Sequence, residues 1–144
     1  MIVELIATLS AGVFHGAAAY INLVEHPARV SAGTMVALTE WRPSYKRATL
    51  MQAPLAVVAA VAGIAAGVMD GSAGWMVGAA CMAAIIPFTL FVIFPTNEYL
   101  LSSAADSDLS SVAASLTIWN RLHLIRTILS GVAFVMFLVL LGAN

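Results

Sequence analysis

The sequence predicts an all-α, polytopic membrane protein: a bundle of four transmembrane helices with a basic loop between the first two. Three observations predict it. Of 144 residues, 62% are hydrophobic and only 9% are charged, whereas a soluble domain is nearer about 45–50% apolar and about 25% charged. Four apolar stretches reach about 20 residues, the length the hydrocarbon core of a bilayer demands. The connections left over are too short for a separate soluble domain, so 1–144 reads as one membrane domain.

Span one covers residues 2–24. Its polar residues Glu4, Thr8, His15 and Asn22, with Glu25 and His26 just beyond, fall near one line. At 100° per residue they lie within about 60° either side of it, and Ala11 and Ala18 complete the stripe. An ionisable group at mid-membrane costs about 2.5–3.5 kcal/mol, so the stripe should face protein or a water-filled cavity. A signal peptide is the competing reading. The missing basic n-region and the length of the apolar run speak against cleavage.

The longest polar connection, 26–47, holds Arg29, Arg42, Lys46 and Arg47. Residues 30–41 are expected to form a short interfacial helix, ended by Pro43, with Trp41 at headgroup level. Span two (48–69) sets Gln52, Ala56, Ala59, Gly63 and Ala66 on one face, where a neighbouring backbone can approach closely. Asp70-Gly71-Ser72 makes a tight turn. Span three (74–94) carries Gly74 and Gly78 one turn apart, and Pro87, which is expected to kink it. In the connection 96–118, Asp106 and Asp108 read as helix-start signals. Span four (119–141) is therefore expected to begin early, as a juxtamembrane extension.

The positive-inside rule places the basic loop in the cytoplasm and both termini outside. Arg121 and Arg126, at the matching end of span four, agree. An integral protein of a bacterial inner membrane is expected, with membrane lipid as a partner. Nucleic acid is not a partner, since six Lys and Arg make no basic face. The single cysteine, Cys81, excludes an intramolecular disulfide and a Cys-based metal cluster. The small-residue faces permit a homo-oligomer as readily as a monomer.

Orientation and periodicity converge on one level of the bundle. Asn22, Glu25 and His26 end span one there, and Gln52 begins span two. Pro95, Asn97 and Glu98 end span three, while Asn120, His123 and Arg126 begin span four. His15 lies about 10 Å deeper by helix rise and would floor a cavity. Each feature has a plainer reading. His15 fits a histidine bonded to a backbone carbonyl or a Ser/Thr hydroxyl. Glu25 and Arg126 fit a structural ion pair. Trp41, Trp75 and Trp119 fit interface anchors, the first two best, and Glu4 fits the outer headgroup level. A metal would draw on His15, Glu25, His26 and His123, but no HxxxH, HxH or ExxH spacing is present.

Four stretches, NLVEHPAR at 22–29, EWRPSYKRATLMQAPLA at 40–56, PTNEYLL at 95–101 and WNRLHLIRT at 119–127, carry a resemblance. The chain resembles the DUF1772 family of integral membrane proteins, which includes the anthrone oxygenases. The resemblance implies a four-span fold and a small membrane oxygenase. It would oxidise a small, flat, hydrophobic aromatic with O2, in a cavity at the cytoplasmic third of the bundle. It implies a site formed by Asn22, Glu25, His26, Pro27, Trp41, Arg42, Tyr45, Lys46, Arg47, Asn97, Trp119, His123 and Arg126. No cofactor is expected, while a bound metal or haem stays open as the alternative.

Within that frame, His123 or His26 is the expected base, because a neutral imidazole titrates near about 6.5 and can take an acidic C–H proton. Arg126 is the expected anion stabiliser. Glu25 joins them as a catalytic candidate. Asn22, Asn97 and Asn120 would orient substrate oxygens, with His15, Trp41, Arg42, Tyr45, Gln52 and Trp119 completing the substrate pocket. From another class comes a non-enzymatic membrane module that binds a lipid, quinone, haem or metal, or steadies a partner. A transporter subunit would need an oligomer, and no inverted repeat is visible.

Overall fold

In a computed structural model, which describes residues 1–104 and 106–143, the first span does not stop at Pro27. Helix α1 (Ile2–Tyr20) passes through a π-helical turn (Ile21–Glu25) into α2 (His26–Ser31). A second long helix, α3, runs from Thr34 to Asp70. The third path repeats the first: α4 (Ala73–Phe88), a π-helical turn (Thr89–Ile93), then α5 (Phe94–Ser102). Helix α6 (Leu109–Gly142) closes the bundle. The four continuous helices are 30, 37, 30 and 34 residues long, all apolar enough to cross a membrane. At 1.5 Å per residue each reaches about 45 Å or more, against about 30 Å of hydrocarbon. So they outrun the bilayer, and little of the polar connections is left as loop.

Proline chemistry explains why both odd-numbered spans continue. Proline has no N–H, and its ring strikes the carbonyl four residues back. Pro27 and Pro95 each lie two residues beyond a π turn. The wide turn displaces the offending carbonyl, so the helix bends without breaking. Pro43 was expected to end a short interfacial helix. Instead both Pro43 and Pro54 sit inside α3. Asp108 does act as the expected start signal. It caps α6, its carboxylate accepting from the backbone N–H of Ser110 at 3.4 Å and of Ser111 at 3.0 Å. Hydrogen bonds from the Ser110 and Ser111 side chains, then from their backbone, hold its pKa down to about 2.

Neighbours around the bundle run α1–α3–α4–α6, antiparallel throughout, with α1 also packed on α6. One end is closed by a core rich in alanine: Ala7, Ala11, Ala59, Ala66, Ala79 and Ala133 are fully buried, with Trp75 stacked on Phe137 at 4.9 Å. Small residues permit this closeness, as expected. A Cβ on Gly63 would lie 2.7 Å from Phe137 Cζ, and Gly78 faces the same ring. Trp75 is therefore core and not an interface anchor. Glu4, in the first turn of α1, is buried beside the Met1 ammonium. The other end has a second core around Leu38, Trp41, Ile93, Leu100, Leu116 and Trp119. Between the two lies a polar layer.

Candidate functional site

The polar layer grows from the stripe on α1. Thr8, Ala11, Ala18, Asn22 and His26 all face inward and are buried. Asn22 sits in the first π turn, whose extra width aims it across at α6. Its Nδ2 donates to the Asn120 side-chain oxygen at 2.7 Å and to the Asn120 backbone carbonyl at 3.1 Å. A carbonyl only accepts, so the nitrogen must lie on that side. Asn22 Oδ1 therefore lies on the other, 2.9 Å from His123 Nδ1, and it accepts a 2.5 Å bond from the Thr127 hydroxyl. An oxygen acceptor requires the proton on His123 Nδ1. The lone pair is left on Nε2.

Aromatic rings hold His123 from the other side. Trp119 stacks on it at 4.9 Å and meets His26 at 5.5 Å, so the indole lies between the two imidazoles. Trp41 sets its edge on Trp119 at 5.6 Å and stacks on Tyr45 at 4.9 Å. Trp119 Nε1 donates to Asn97 Oδ1 at 2.9 Å, and Asn97 Nδ2 donates to the Tyr45 hydroxyl at 3.2 Å. Asn97 thus ties three helices together. Trp41 was expected at headgroup level. It is fully buried in this stack, because α3 continues past Pro43 and carries it inside.

The charged residues pair differently from the expected Glu25–Arg126 bridge. Glu25 accepts from Arg29, one turn on, and from the Ser44 hydroxyl at 2.5 Å. Arg29 Nε lies 2.8 Å from the Glu40 carboxylate. The i,i+4 spacing of Glu25 and Arg29 carries that signal, and a local pair of this kind wins over one across the bundle. Arg126 instead donates to Gln52 Oε1 at 2.9 Å and lies over the Phe14 ring at 5.4 Å. No carboxylate reaches Arg126 among the described residues. Its Nε and Gln52 Nε2 are buried donors without a partner.

Two openings share these groups. A small polar cavity, with about 20 Å³ of free space, is lined by Arg29, Ser44, Tyr45, Gln52, Trp119, His123 and Arg126 among others. That is room for about one water. A larger, mostly apolar groove of about 290 Å³ lies between α3 and the α4–α5 path. Tyr45, Thr49, Gln52 and Arg126 line both.

Other expected site residues fall elsewhere. His15 Nδ1 donates to the Thr127 carbonyl at 3.1 Å and packs against Gly131, outside both openings. Arg42 donates to the carbonyls of Leu100 and Ser103, closing the end of α5. His26 is buried with Nδ1 unpartnered. Lys46 and Arg47 are exposed. His15, Glu25, His26 and His123 do not converge, and among the described residues no three His, Cys, Asp or Glu side chains group to hold a metal. Sequence reading passed over Ser44, Thr49, Phe14 and Arg29 as site residues. Arg29 was signalled by its spacing from Glu25. Nothing in an apolar helix marks Phe14 as the partner of a guanidinium.

The family model described as anthrone oxygenase matches residues 41–136. The chain belongs to the anthrone oxygenase family. The match covers α3 to α6 for most of their length and includes Trp41, Tyr45, Gln52, Asn97, Trp119, His123 and Arg126. It begins after the NLVEHPAR stretch, so Asn22, Glu25 and His26 lie before it. No curated protein and no solved structure matches the chain.

Proposed function

We propose that this anthrone oxygenase family member is a membrane oxygenase that converts the acidic methylene of a flat, apolar aromatic ketone to a carbonyl with O2. One O2 is consumed per methylene. One of its oxygen atoms ends in the new carbonyl, and the other leaves as water with both methylene hydrogens. His123 Nε2 takes a proton from the methylene, which is acidic because the carbanion delocalises onto the ketone oxygen. The developing oxyanion accepts from Gln52 Nε2, Arg126 Nε and the Tyr45 hydroxyl. The Tyr45 oxygen already accepts from Asn97, so its own proton is free to donate. Fixed donors in a site screened from water stabilise such a charge far more than solvent would. The carbanion gives its electron pair to O2 and forms a C–O–O bond. The O–O bond then breaks as the second C–H proton leaves, releasing water and the new ketone. The substrate itself is the reductant, so the scheme calls for no metal, haem or redox partner.

The observation that carries the reading is the His123 tautomer, fixed by Asn22 beside two unpartnered donors. The positive-inside rule, applied to Arg29, Arg42, Lys46, Arg47 and Arg121, supports a site end that faces the cytoplasm and termini that face outward. The test is oxygen uptake by purified protein in vesicles doped with anthrone, read together with anthraquinone absorbance. His123→Ala is expected to lower turnover at least about a hundredfold, the scale of a general base. Wild-type turnover in that variant would refute the mechanism.

One observation favours a second reading, a ligand-binding module without turnover. The cavity beside His123 holds about 20 Å³, enough for one water but not for a ring. Absence of oxygen uptake by the wild type, with retained anthraquinone binding, would decide for it.

A further inference from the structure

We infer that the groove between α3 and the α4–α5 path is the seat and entrance of the aromatic ligand, opened sideways to the lipid. The inference rests on the proposed reading for the ligand's chemistry, but its geometry stands apart. The groove offers about 290 Å³, at the lower end of what small-molecule sites use. The polar cavity beside His123 is far too small for rings. Ala53, Val57, Ile86 and Leu90, all exposed on the outer surface of the bundle, form its apolar sides. Ala53 leaves a gap where a larger side chain would fill the groove.

The inner wall of the groove says what the ligand carries. Gln52 is 2% exposed, yet its Nε2 donates to nothing, and Arg126 Nε is also buried and unpaired. A buried donor without an acceptor costs about 1–3 kcal/mol. An uncompensated guanidinium inside a membrane bundle is dearer still, and such residues mark ligand paths. Both needs are met by one oxygen of a flat apolar molecule, a ketone or its enolate, with its rings lying in the groove. Gln52 and Arg126 also line the polar cavity that His123 lines, so an oxygen held by them sits where the two openings meet. The second π turn supplies Thr89 and Leu90 to the groove wall, so the widening of that helix falls at the opening. An apolar aromatic concentrates in the bilayer, so a sideways opening gives access to the pool where it resides.

The experiment compares Ala53→Phe with Val61→Phe, a lipid-facing position on α3 outside the groove. Each protein is placed in vesicles of phosphatidylcholine and phosphatidylglycerol. 9,10-Anthraquinone doped into the bilayer serves as the binding probe, read by quenching of tryptophan emission. Anthrone-dependent oxygen uptake is the second readout. Ala53→Phe is expected to weaken quenching and lower kcat/KM at least tenfold, while Val61→Phe stays within twofold of wild type on both. If Ala53→Phe quenches and turns over as wild type does, the groove is not the ligand's seat. If the wild type takes up no oxygen but Ala53→Phe still loses quenching, the oxygenase reading fails and the groove stands. If anthraquinone fails to quench even the wild type, the groove inference is overturned.

Discussion

Replacing Asn22 by leucine separates the fold of the site from its chemistry. Leucine keeps the branched shape of the side chain and removes four hydrogen bonds, at 2.9, 2.5, 2.7 and 3.1 Å, that join α1 to α6. Interhelical hydrogen bonds in membranes average about 0.6 kcal/mol each, so the fold loses about 2 kcal/mol. His123 Nδ1–H would then be a buried donor without a partner, costing about 1–3 kcal/mol more. The imidazole can escape that cost by moving its proton to Nε2. In that tautomer Nε2 can no longer take a proton. Asn22→Leu is therefore expected to stay folded, with a lowered unfolding midpoint, and to lose kcat about a hundredfold or more with KM little changed. Asn22→Asp keeps the acceptor for His123 but sets a carboxylate against the Asn120 oxygens. It should retain more activity than the leucine variant while unfolding as readily. The assay is anthrone-dependent oxygen uptake in vesicles, beside thermal unfolding in detergent. A folded Asn22→Leu protein with kcat within twofold of wild type would sink the tautomer assignment.

Two further outcomes test the frame around the site. Gly78→Ala drives a Cβ into the Phe137 ring, which is fully buried against Trp75 and has nowhere to go. Overpacking of this kind costs about 1–3 kcal/mol, read as a lower unfolding midpoint, and an unchanged midpoint would mean that this end of the bundle yields to the extra methyl. The Asp108 cap gives a pH signature. Its pKa is lowered from 3.8 to about 2 in the folded chain. A lowered carboxyl pKa contributes stability that is fully present above about pH 4 and is lost as pH falls toward 2. Wild-type unfolding midpoints should fall through that window by more than those of Asp108→Ala; parallel curves would show that the cap does not hold.

The architecture was legible because hydrophobic length and small-residue spacing act locally. Four spans, the inward stripe on α1 and the Gln52–Ala66 face needed only composition and a 100° period. The helix ends were not legible. A proline in a sequence announces a break, but whether a π turn absorbs it depends on packing, and Pro27, Pro43 and Pro95 all lie inside continuous helical paths. Trp41 follows from the same cause: once α3 runs through Pro43, the residue moves from the headgroups into an aromatic stack. In the site, the meeting of Asn22, Asn97, Trp119 and His123 was readable as depth along the helices. Partner choice was harder: Glu25 had two arginines at suitable depth, and only the i,i+4 spacing of Arg29 pointed to the one that takes the carboxylate.

That choice bears on function. Arg29 and Arg126 both line the polar cavity. Arg29 is met by two carboxylates, Glu25 and Glu40, which more than neutralise its charge. Among the described residues, Arg126 is met only by the neutral Gln52 and the face of Phe14. Had Glu25 bridged to Arg126, the cavity would hold a neutral pair there, with Arg29 still met by Glu40. The observed pairing puts the unscreened positive charge at the inner wall of the groove instead. It lies beside His123, whose Nδ1 proton Asn22 holds, where the proposed proton transfer to Nε2 would form a delocalised anion.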